Sequence, residues 1–259
     1  MDEAVKVLAQ QMVKKIDRKI RRELKANFVK MSRTIDIGAD GTPTKMIDKL
    51  AEKVALKTLK RADISVNLLS EEAGFVDNNA EYTFVLDPVD GTRNASRGIP
   101  FFSVSLAVGR HSLSDVEYGI VKNVSNGDIY VAEAGRGAFC NKNHILVPDV
   151  AAREPVFAVT LGKRCSDKTL DMLKNSVVRS LGAASLEMCL VGTGALDAYI
   201  VGREYMRVTD IAASTLFLRE AGGFVMDLHG DSLDMILSLD ERTSVLAAGN
   251  MALVERLMR

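Results

Sequence analysis

The chain has 259 residues, and 47% of them are hydrophobic, which is enough to bury a sizeable core without disulfide bonds. Its 34 Lys and Arg residues balance its 34 Asp and Glu residues, so no net charge draws the molecule as a whole to nucleic acid or to an anionic membrane. The composition excludes a disordered chain, a collagen and a disulfide-stabilised miniprotein, and any function that depends on charge must be local.

The three cysteines and three histidines are scattered, with no C-x-x-C pair among them. This spacing favours neither a structural zinc site nor a disulfide framework, and Cys140, Cys165 and Cys189 are predicted to be core thiols. The first residues lack the apolar segment of a signal peptide, and no apolar run approaches the ~20 residues that span a bilayer. We therefore expect a cytoplasmic protein without a nucleic-acid or membrane partner.

The first predicted element is a long helix. Apolar side chains recur every three or four residues from residue 5 to residue 28, which is the spacing of one buried helical stripe. The opposite face is rich in Lys and Arg and could bind nucleic acid or anionic lipid. A solvated face is the favoured interpretation, because Asp17 and Glu23 interrupt the basic run.

A segment rich in Gly and Asp follows at residues 36–44 and predicts a mobile loop that closes over a site. A second helix is predicted from Thr44 to about Arg61. Short β-rich runs then predict a mostly antiparallel sheet that the two helices cover, with a hairpin turn signal at Asn126-Gly127. The predicted strands are residues 64–69, 83–86, 102–108, 116–124 and 129–133.

Strands and helices alternate after residue 155, which is typical of an α/β unit. The predicted strands are residues 156–160, 177–181, 195–201, 224–226 and 244–248, with helices through Leu170, from Ala184 and from Asp210. We therefore predict an N-terminal α+β domain at residues 1–150 and a C-terminal α/β domain at residues 151–259.

The most informative segment is D-P-V-D-G-T at residues 87–92, directly after an apolar strand. Pro88 restricts the turn between Asp87 and Asp90, so both carboxylates can point toward one place, where they need protons or a cation between them. The small residues Gly91 and Thr92 allow backbone N–H groups to approach a phosphate. Taken alone, an ordinary strand end with an Asp-Pro turn and a capped helix explains the segment equally well.

Two further acidic sites follow predicted strands. Glu71 and Glu72 come after the strand at residues 64–69, and Asp210 opens a helix of small residues. For Asp210 alone, a role as the helix N-cap is favoured over a role as metal ligand.

Together, L-S-E-E at residues 69–72, D-P-V-D-G-T at 87–92 and T-D-I-A-A at 209–213 resemble, in order and spacing, the three signatures of the inositol monophosphatase/fructose-1,6-bisphosphatase superfamily. The resemblance spans nearly the whole chain and is greatest to the dual-activity archaeal and bacterial members. It implies an α/β fold, an αβαβα layered sandwich, and metal-dependent hydrolysis of a phosphate monoester.

The resemblance also implies roles for particular residues. Two or three Mg²⁺ ions, or Mn²⁺ in their place, would be bound by Glu71, Asp87, the Val89 carbonyl, Asp90 and Asp210. Asp90, Gly91 and Thr92 would bind the phosphate. Glu71, Thr92 and Asp48 would be the catalytic residues: Thr92 and Asp48 would orient the attacking water, and a third, weaker metal would depend on Glu71. Either Asp36 or Asp40 would join when the loop closes.

Further substrate contacts are expected at Ala183, Ala184, Arg164, Arg203 and Arg207; the resemblance places Arg203 at the ring-recognition position, and Arg164 and Arg207 add positive charge to the same domain. Animal-type members have a Glu that grips the inositol ring where this chain has Arg203, and a Trp where it has Thr209. Because Arg suits bidentate phosphate binding, we expect fructose 1,6-bisphosphate to be the better substrate and inositol-1-phosphate a secondary one. Arg164 is equally well explained as a solvated surface residue.

The protein is expected to be a homodimer. Two alternative functions are also compatible with the sequence. A bisphosphate nucleotidase or NADP phosphatase needs a surface for base stacking, and a chain with 5% aromatic residues and no Trp offers no evident one. A non-catalytic regulatory partner is disfavoured, because such a protein has no physical reason to keep clustered acids that repel one another.

Overall fold

The computed structural model describes residues 1–37, 43–148, 154–161 and 167–258. Asp40, Arg164, Cys165 and the predicted domain boundary near residue 150 lie outside these residues. The helices are α1 (Glu3–Met31), α2 (Met46–Leu59), α3 (Thr92–Ala95), α4 (Asp167–Met172), α5 (Ala184–Gly192), α6 (Val208–Glu220) and α7 (Met251–Met258). The strands are β1 (Thr34–Ile37), β2 (Pro43–Lys45), β3 (Asn67–Ser70), β4 (Gly74–Val76), β5 (Thr83–Asp90), β6 (Ser103–Gly109), β7 (Tyr118–Asn123), β8 (Ile129–Glu133), β9 (Gly137–Cys140), β10 (Asn143–Ile145), β11 (Val156–Thr160), β12 (Val177–Arg179), β13 (Ala198–Met206), β14 (Phe224–Met226) and β15 (Thr243–Ala248).

Two sheets organise the described part of the chain. The first has eight strands in the order β10-β9-β8-β7-β6-β5-β3-β4, and its pairs are antiparallel except for β3 and β5, which are parallel. The second has five strands in the order β12-β11-β13-β15-β14, and β11 is parallel to both of its neighbours. The mostly antiparallel first sheet and the α/β pattern of the second half are as predicted.

Alternation along the strands sorts side chains into three cores. On β5, Phe84 and Leu86 pack with the buried faces of α1 and α2, whereas Val85 points to the opposite side. On β13, Tyr199 shares that middle core with Val85, α5 and α6, whereas Ile200 packs with α7 on the far side of the second sheet. The order is therefore helix, sheet, helix, sheet, helix, which confirms the predicted αβαβα sandwich.

The long N-terminal helix forms as the apolar stripe predicts, with Asp2 as its N-cap and a non-helical backbone at Asn27. The predicted loop at residues 36–44 differs at both ends, because Thr34–Ile37 and Pro43–Lys45 pair as antiparallel strands around the undescribed residues 38–42. The short strands β4, β9 and β10 were not predicted. They are three or four residues long, too short to show a clear alternation.

Two further predictions concern membrane-spanning segments and the cysteines. No helix in the described ranges is long and apolar enough to cross a membrane. Cys189 is buried in the middle core, as expected, and Cys140 is partly buried; both are free thiols.

Candidate metal and phosphate site

Three carboxylates converge where β3, β5 and α6 meet. Ser70 pairs with Leu86 at the end of the parallel β3–β5 ladder, so the next residues, Glu71 after β3 and Asp87 within β5, lie near each other. Asp210 arrives from the first turn of α6. Oxygens from the carboxylates of Glu71, Asp87 and Asp210 all lie within 4.8 Å of one another. The structure therefore brings together three of the acids that the sequence singled out.

Burial and mutual repulsion make these carboxylates unfavourable as free anions. Burial, followed by the charges of Asp87 and Asp210, raises the pKa of Glu71 well above its usual range. The pKa of Asp87 is raised by burial and then by the charges of Asp90 and Asp210. Clustered hard oxygen ligands with such pKa shifts fit a divalent cation, which would replace the protons and relieve the repulsion.

Arg207, the residue just before α6, forms ion pairs with two of these carboxylates. Its guanidinium lies 3.0 Å from Glu71 and 3.3 Å from Asp210. Thr209 also contributes, since its hydroxyl donates a hydrogen bond to Glu71 at 3.1 Å. Arg207 was expected to contact substrate. In the structure it instead forms ion pairs with Glu71 and Asp210, which are candidate metal ligands.

Asp210 is the third residue of α6 and not its N-cap, so the N-cap interpretation is wrong. The helix begins at Val208, two residues earlier than predicted, and the Asp210 carboxylate accepts the backbone N–H of Arg207 at 2.9 Å. Asp48 has the same place in α2: it is the third residue and accepts the N–H of Lys45 at 2.7 Å. Acids in a first turn are also favoured by the helix dipole.

The D-P-V-D-G-T segment forms a tight turn at the end of β5. Asp87 accepts the N–H of Val89 at 2.9 Å, and the Thr92 hydroxyl lies 2.9 Å from the Val89 carbonyl and 3.0 Å from Asp48. Gly91 has φ +85°, and a Cβ there would lie 3.1 Å from the Gly182 carbonyl oxygen. Only glycine fits this position without strain.

Asp90 is not one of the three clustered carboxylates, and its carboxylate is hydrogen-bonded to the first turn of α5. Its oxygens accept hydrogen bonds from the N–H groups of Ala184 and Ser185 at 3.1 and 2.9 Å and from the hydroxyls of Ser185 and Ser103 at 2.5 and 3.2 Å. Burial raises the pKa of Asp90 to about 6, against the lowering effect of the Ser185 hydrogen bonds. The N–H of Ala184, expected at the substrate, is thus bound to Asp90, and the N–H of Ala183 donates to Glu187 at 3.3 Å.

Sequence reasoning missed Glu52, which lies one turn after Asp48 on the buried face of α2. Its Oε2 accepts the Ser70 hydroxyl at 2.6 Å, and its Oε1 is buried without a hydrogen-bond partner among the described residues. Burial raises the pKa of both Asp48 and Glu52 to about 7. The sequence contained a signal for Glu52, because it lies at helical spacing among the apolar residues Ile47, Ala51 and Ala55, on the same face as Asp48.

Two other candidates lie at the surface. Arg203 is exposed on β13, in the stretch between Val201 and Met206 where the pairing with β15 shifts register. Asp36 is exposed and pairs with Lys49 of α2 at 2.9 Å.

Comparison with known proteins agrees with this geometry. Residues 1–259 match the inositol monophosphatase family. A fructose-1,6-bisphosphatase/inositol-1-monophosphatase of Methanothermobacter thermautotrophicus is 40% identical over 241 residues, covering 87% of this chain and 85% of that protein. A bifunctional NADP phosphatase/NAD kinase of Methanococcus maripaludis is 37% identical over 246 residues, covering 86% of this chain but 43% of that longer protein.

The structural comparison gives the same result. A solved structure from Pyrococcus horikoshii, described as a protein with similarities for inositol-1 monophosphatase, has a TM-score of 0.85 and 36% identity, covering 99% of this chain and 98% of that one. The family recognised from the three acidic motifs is therefore confirmed. The chain belongs to the inositol monophosphatase family, whose members are metal-dependent phosphoric monoester hydrolases.

Proposed function

We propose that the protein hydrolyses fructose 1,6-bisphosphate and, less efficiently, inositol-1-phosphate, with Mg²⁺ as its cofactor. The observation that carries the proposal is the convergence of Glu71, Asp87 and Asp210 within 4.8 Å. The 40% identical relative that bears both phosphatase names supports the choice of substrates.

Glu71, Asp87 and Asp210 would hold the metal ions, together with the Val89 carbonyl and Asp90. Bound metal would activate water and neutralise charge on the phosphoryl oxygens and the leaving alkoxide. In the structure both Asp90 oxygens accept hydrogen bonds from the start of α5 and from Ser103. Among the described residues Oδ1 accepts only the Ala184 N–H, so this oxygen has a lone pair left for a metal ion while Oδ2 keeps its three hydrogen bonds.

Thr92 and Asp48 would orient the attacking water. When the Thr92 hydroxyl donates to Asp48, which lies 3.0 Å away, its oxygen lone pairs are left to accept a proton of that water. The pKa of Asp48, about 7, allows the carboxyl to take up a proton near neutral pH. The tight turn at Gly91 would let the backbone approach the phosphate oxygens.

Arg203 is the proposed contact for the second phosphate of the bisphosphate. A charge-assisted hydrogen bond of roughly 1.5–3 kcal/mol corresponds to about a ten- to hundredfold change in kcat/KM. Arg203→Ala should lower kcat/KM for fructose 1,6-bisphosphate by that factor and change inositol-1-phosphate hydrolysis little, whereas Arg97→Ala at another exposed position should change neither. Equal losses on both substrates would mean that Arg203 has a structural role.

The primary test is phosphate release from both substrates with Mg²⁺ and with excess EDTA. We expect turnover with Mg²⁺, slower or comparable turnover with Mn²⁺, and none with EDTA. Full activity in EDTA would contradict the metal assignment. A preference for inositol-1-phosphate would contradict the bisphosphatase assignment while leaving the monophosphatase assignment in place.

An NADP phosphatase is the second candidate, supported by the 37% identical bifunctional relative. The surface for base stacking would be Tyr205, which is 57% exposed and lies two residues before Arg207. If its ring stacks on adenine, Tyr205→Ala should lower kcat/KM for NADP about tenfold or more and leave fructose 1,6-bisphosphate unchanged. No phosphate release from NADP would exclude this candidate.

We further propose a cytoplasmic homodimer. Sedimentation equilibrium measures the assembly directly: a mass near twice the 28.2 kDa of one chain is expected, and a monomer at micromolar concentration would contradict it.

A further inference from the structure

A groove between α1 and α2 lies outside the carboxylate site. It has a volume of about 470 Å³ and is formed by one face of each helix. The lining residues are Lys15, Arg18, Lys19 and Arg22 from α1 and Leu50, Lys53, Val54, Lys57, Thr58 and Arg61 from α2 and the residues after it. Its volume is in the range of small-molecule sites.

Helical spacing directs the basic side chains of both helices into this groove. Lys53, Lys57 and Arg61 are four residues apart, and the four basic residues of α1 follow one another at intervals of three, one and three. Both spacings place side chains on one face of a helix. The basic face of α1 is therefore not simply solvated, as the sequence of that helix suggested; it faces a second basic row from α2.

The positive charge in the groove is largely uncompensated. Seven of the ten lining residues are Lys or Arg, and none is acidic. Glu23 pairs with Lys19 at 2.9 Å and with Arg22 at 3.1 Å. For the other five cations, the described part of the chain places no carboxylate within 4 Å. The protein has no net charge, so this concentration of positive charge is local to the groove. A bound anion would reduce the repulsion among these cations.

The shape of the groove selects among anions. Leu50 and Val54 are partly buried and give the floor an apolar character, with the cations around it. A lipid surface requires a flat or convex basic face, and a nucleic acid requires a long basic track. A concave groove of this volume instead fits a compact ligand with several negative charges.

We propose that the α1–α2 groove binds a small organic or inorganic anion with at least two phosphate groups, such as a pyrophosphate or triphosphate. The site is distinct from the carboxylate cluster, and the inference does not rest on the proposed function. The ligand would contact α2, the helix that also carries Asp48 and Glu52 on its buried face.

Isothermal titration calorimetry with sodium tripolyphosphate tests the proposal. The protein is kept in EDTA at low salt, so that the clustered acids repel the probe from the phosphatase site. We expect one site with a dissociation constant of about 1 mM or tighter, weakened as KCl screens the charges. Lys53→Glu combined with Lys57→Glu should weaken binding about tenfold or more, since two attractive charges become repulsive.

Lys30→Glu combined with Lys142→Glu is the matched control, because it makes the same change in net charge at exposed positions outside the groove. Circular dichroism verifies folding, and the neutral pair Lys53→Gln and Lys57→Gln replaces the first variant if that variant does not fold. Equal weakening by the groove and control pairs, or no binding to the unaltered protein, would overturn the proposal. A groove pair that turns a dimer into a monomer, without tripolyphosphate binding to the unaltered protein, would show instead that a second copy covers the groove.

Discussion

At the scale of single residues, Asp87 shows how one carboxylate serves both the turn and the charge cluster. Asp87→Asn keeps an oxygen to accept the Val89 N–H but removes the negative charge. We expect kcat to fall about a hundredfold or more, because a metal ligand loses its charge. The melting temperature in EDTA should stay equal or rise, because a buried charge that Asp90 and Asp210 repel is gone.

Asp63→Asn, at an exposed position, is the control for this measurement and should change neither quantity. An Asp87→Asn enzyme with more than half of the original activity would contradict the metal role. Asp90→Asn is a less selective test, because the amide could not accept all of the hydrogen bonds from Ser103 and the start of α5.

Glu52 predicts a pH dependence of stability. Burial raises its pKa from 4.5 to about 7, so between these values the folded protein holds a proton that the unfolded chain has lost. Stability from this group is therefore fully present below pH about 4.5 and is lost as pH rises through about 7, by an amount on the order of 3 kcal/mol.

Glu52→Gln removes this titration and keeps an oxygen to accept the Ser70 hydroxyl. Urea unfolding in EDTA at pH 5 and pH 8 should show a smaller loss of stability for Glu52→Gln than for the unaltered protein. Glu255→Gln, at an exposed position on α7, should leave the difference unchanged. An identical loss in the Glu52→Gln protein would show that Glu52 does not titrate in this range.

At the scale of elements, the turn from β5 to α3 depends on the close approach of the segment before α5. Gly91→Ala imposes both a left-handed backbone on Ala and a Cβ contact of 3.1 Å with the Gly182 carbonyl oxygen. We expect a loss of about 1–2 kcal/mol from the backbone and a further loss from crowding, together with reduced kcat.

Gly135→Ala separates the two effects. Gly135 has a similar φ of +71°, but a Cβ there meets nothing within 4 Å. Urea unfolding should therefore show a smaller destabilisation for Gly135→Ala, with unchanged activity. Equal destabilisation by the two substitutions would mean that the packing between Gly91 and Gly182 contributes little.

At the scale of the whole molecule, the two sheets share one core. Val85 and Tyr130 from the first sheet and Tyr199 and Val245 from the second lie in the same cluster as α5 and α6. The division near residue 150 remains a prediction, but neither half can bury its inner face alone. We expect one calorimetric transition in EDTA with equal calorimetric and van't Hoff enthalpies, and two separate transitions would contradict a shared core.

Local patterns in the sequence determined the long amphipathic helix, the order of the main strands and the three acidic motifs, because each is a periodic or short-range feature of neighbouring residues. The five-layer arrangement and the family followed from the resemblance that those motifs carry. The proximity of Glu71 and Asp87 could also be predicted, because each follows an apolar run that forms a strand, and the two strands are parallel neighbours in one sheet.

Only the tertiary structure decided which partners those residues take. Asp90 turns to α5 because that helix start offers donors 94 and 95 residues away in sequence, and Arg207 lies on Glu71 because α6 begins beside β3. The basic face of α1 looked solvated until α2 placed a second basic row opposite it. Sequence periodicity indicates which face of an element is apolar, but the contacts between distant elements depend on how all the layers pack together.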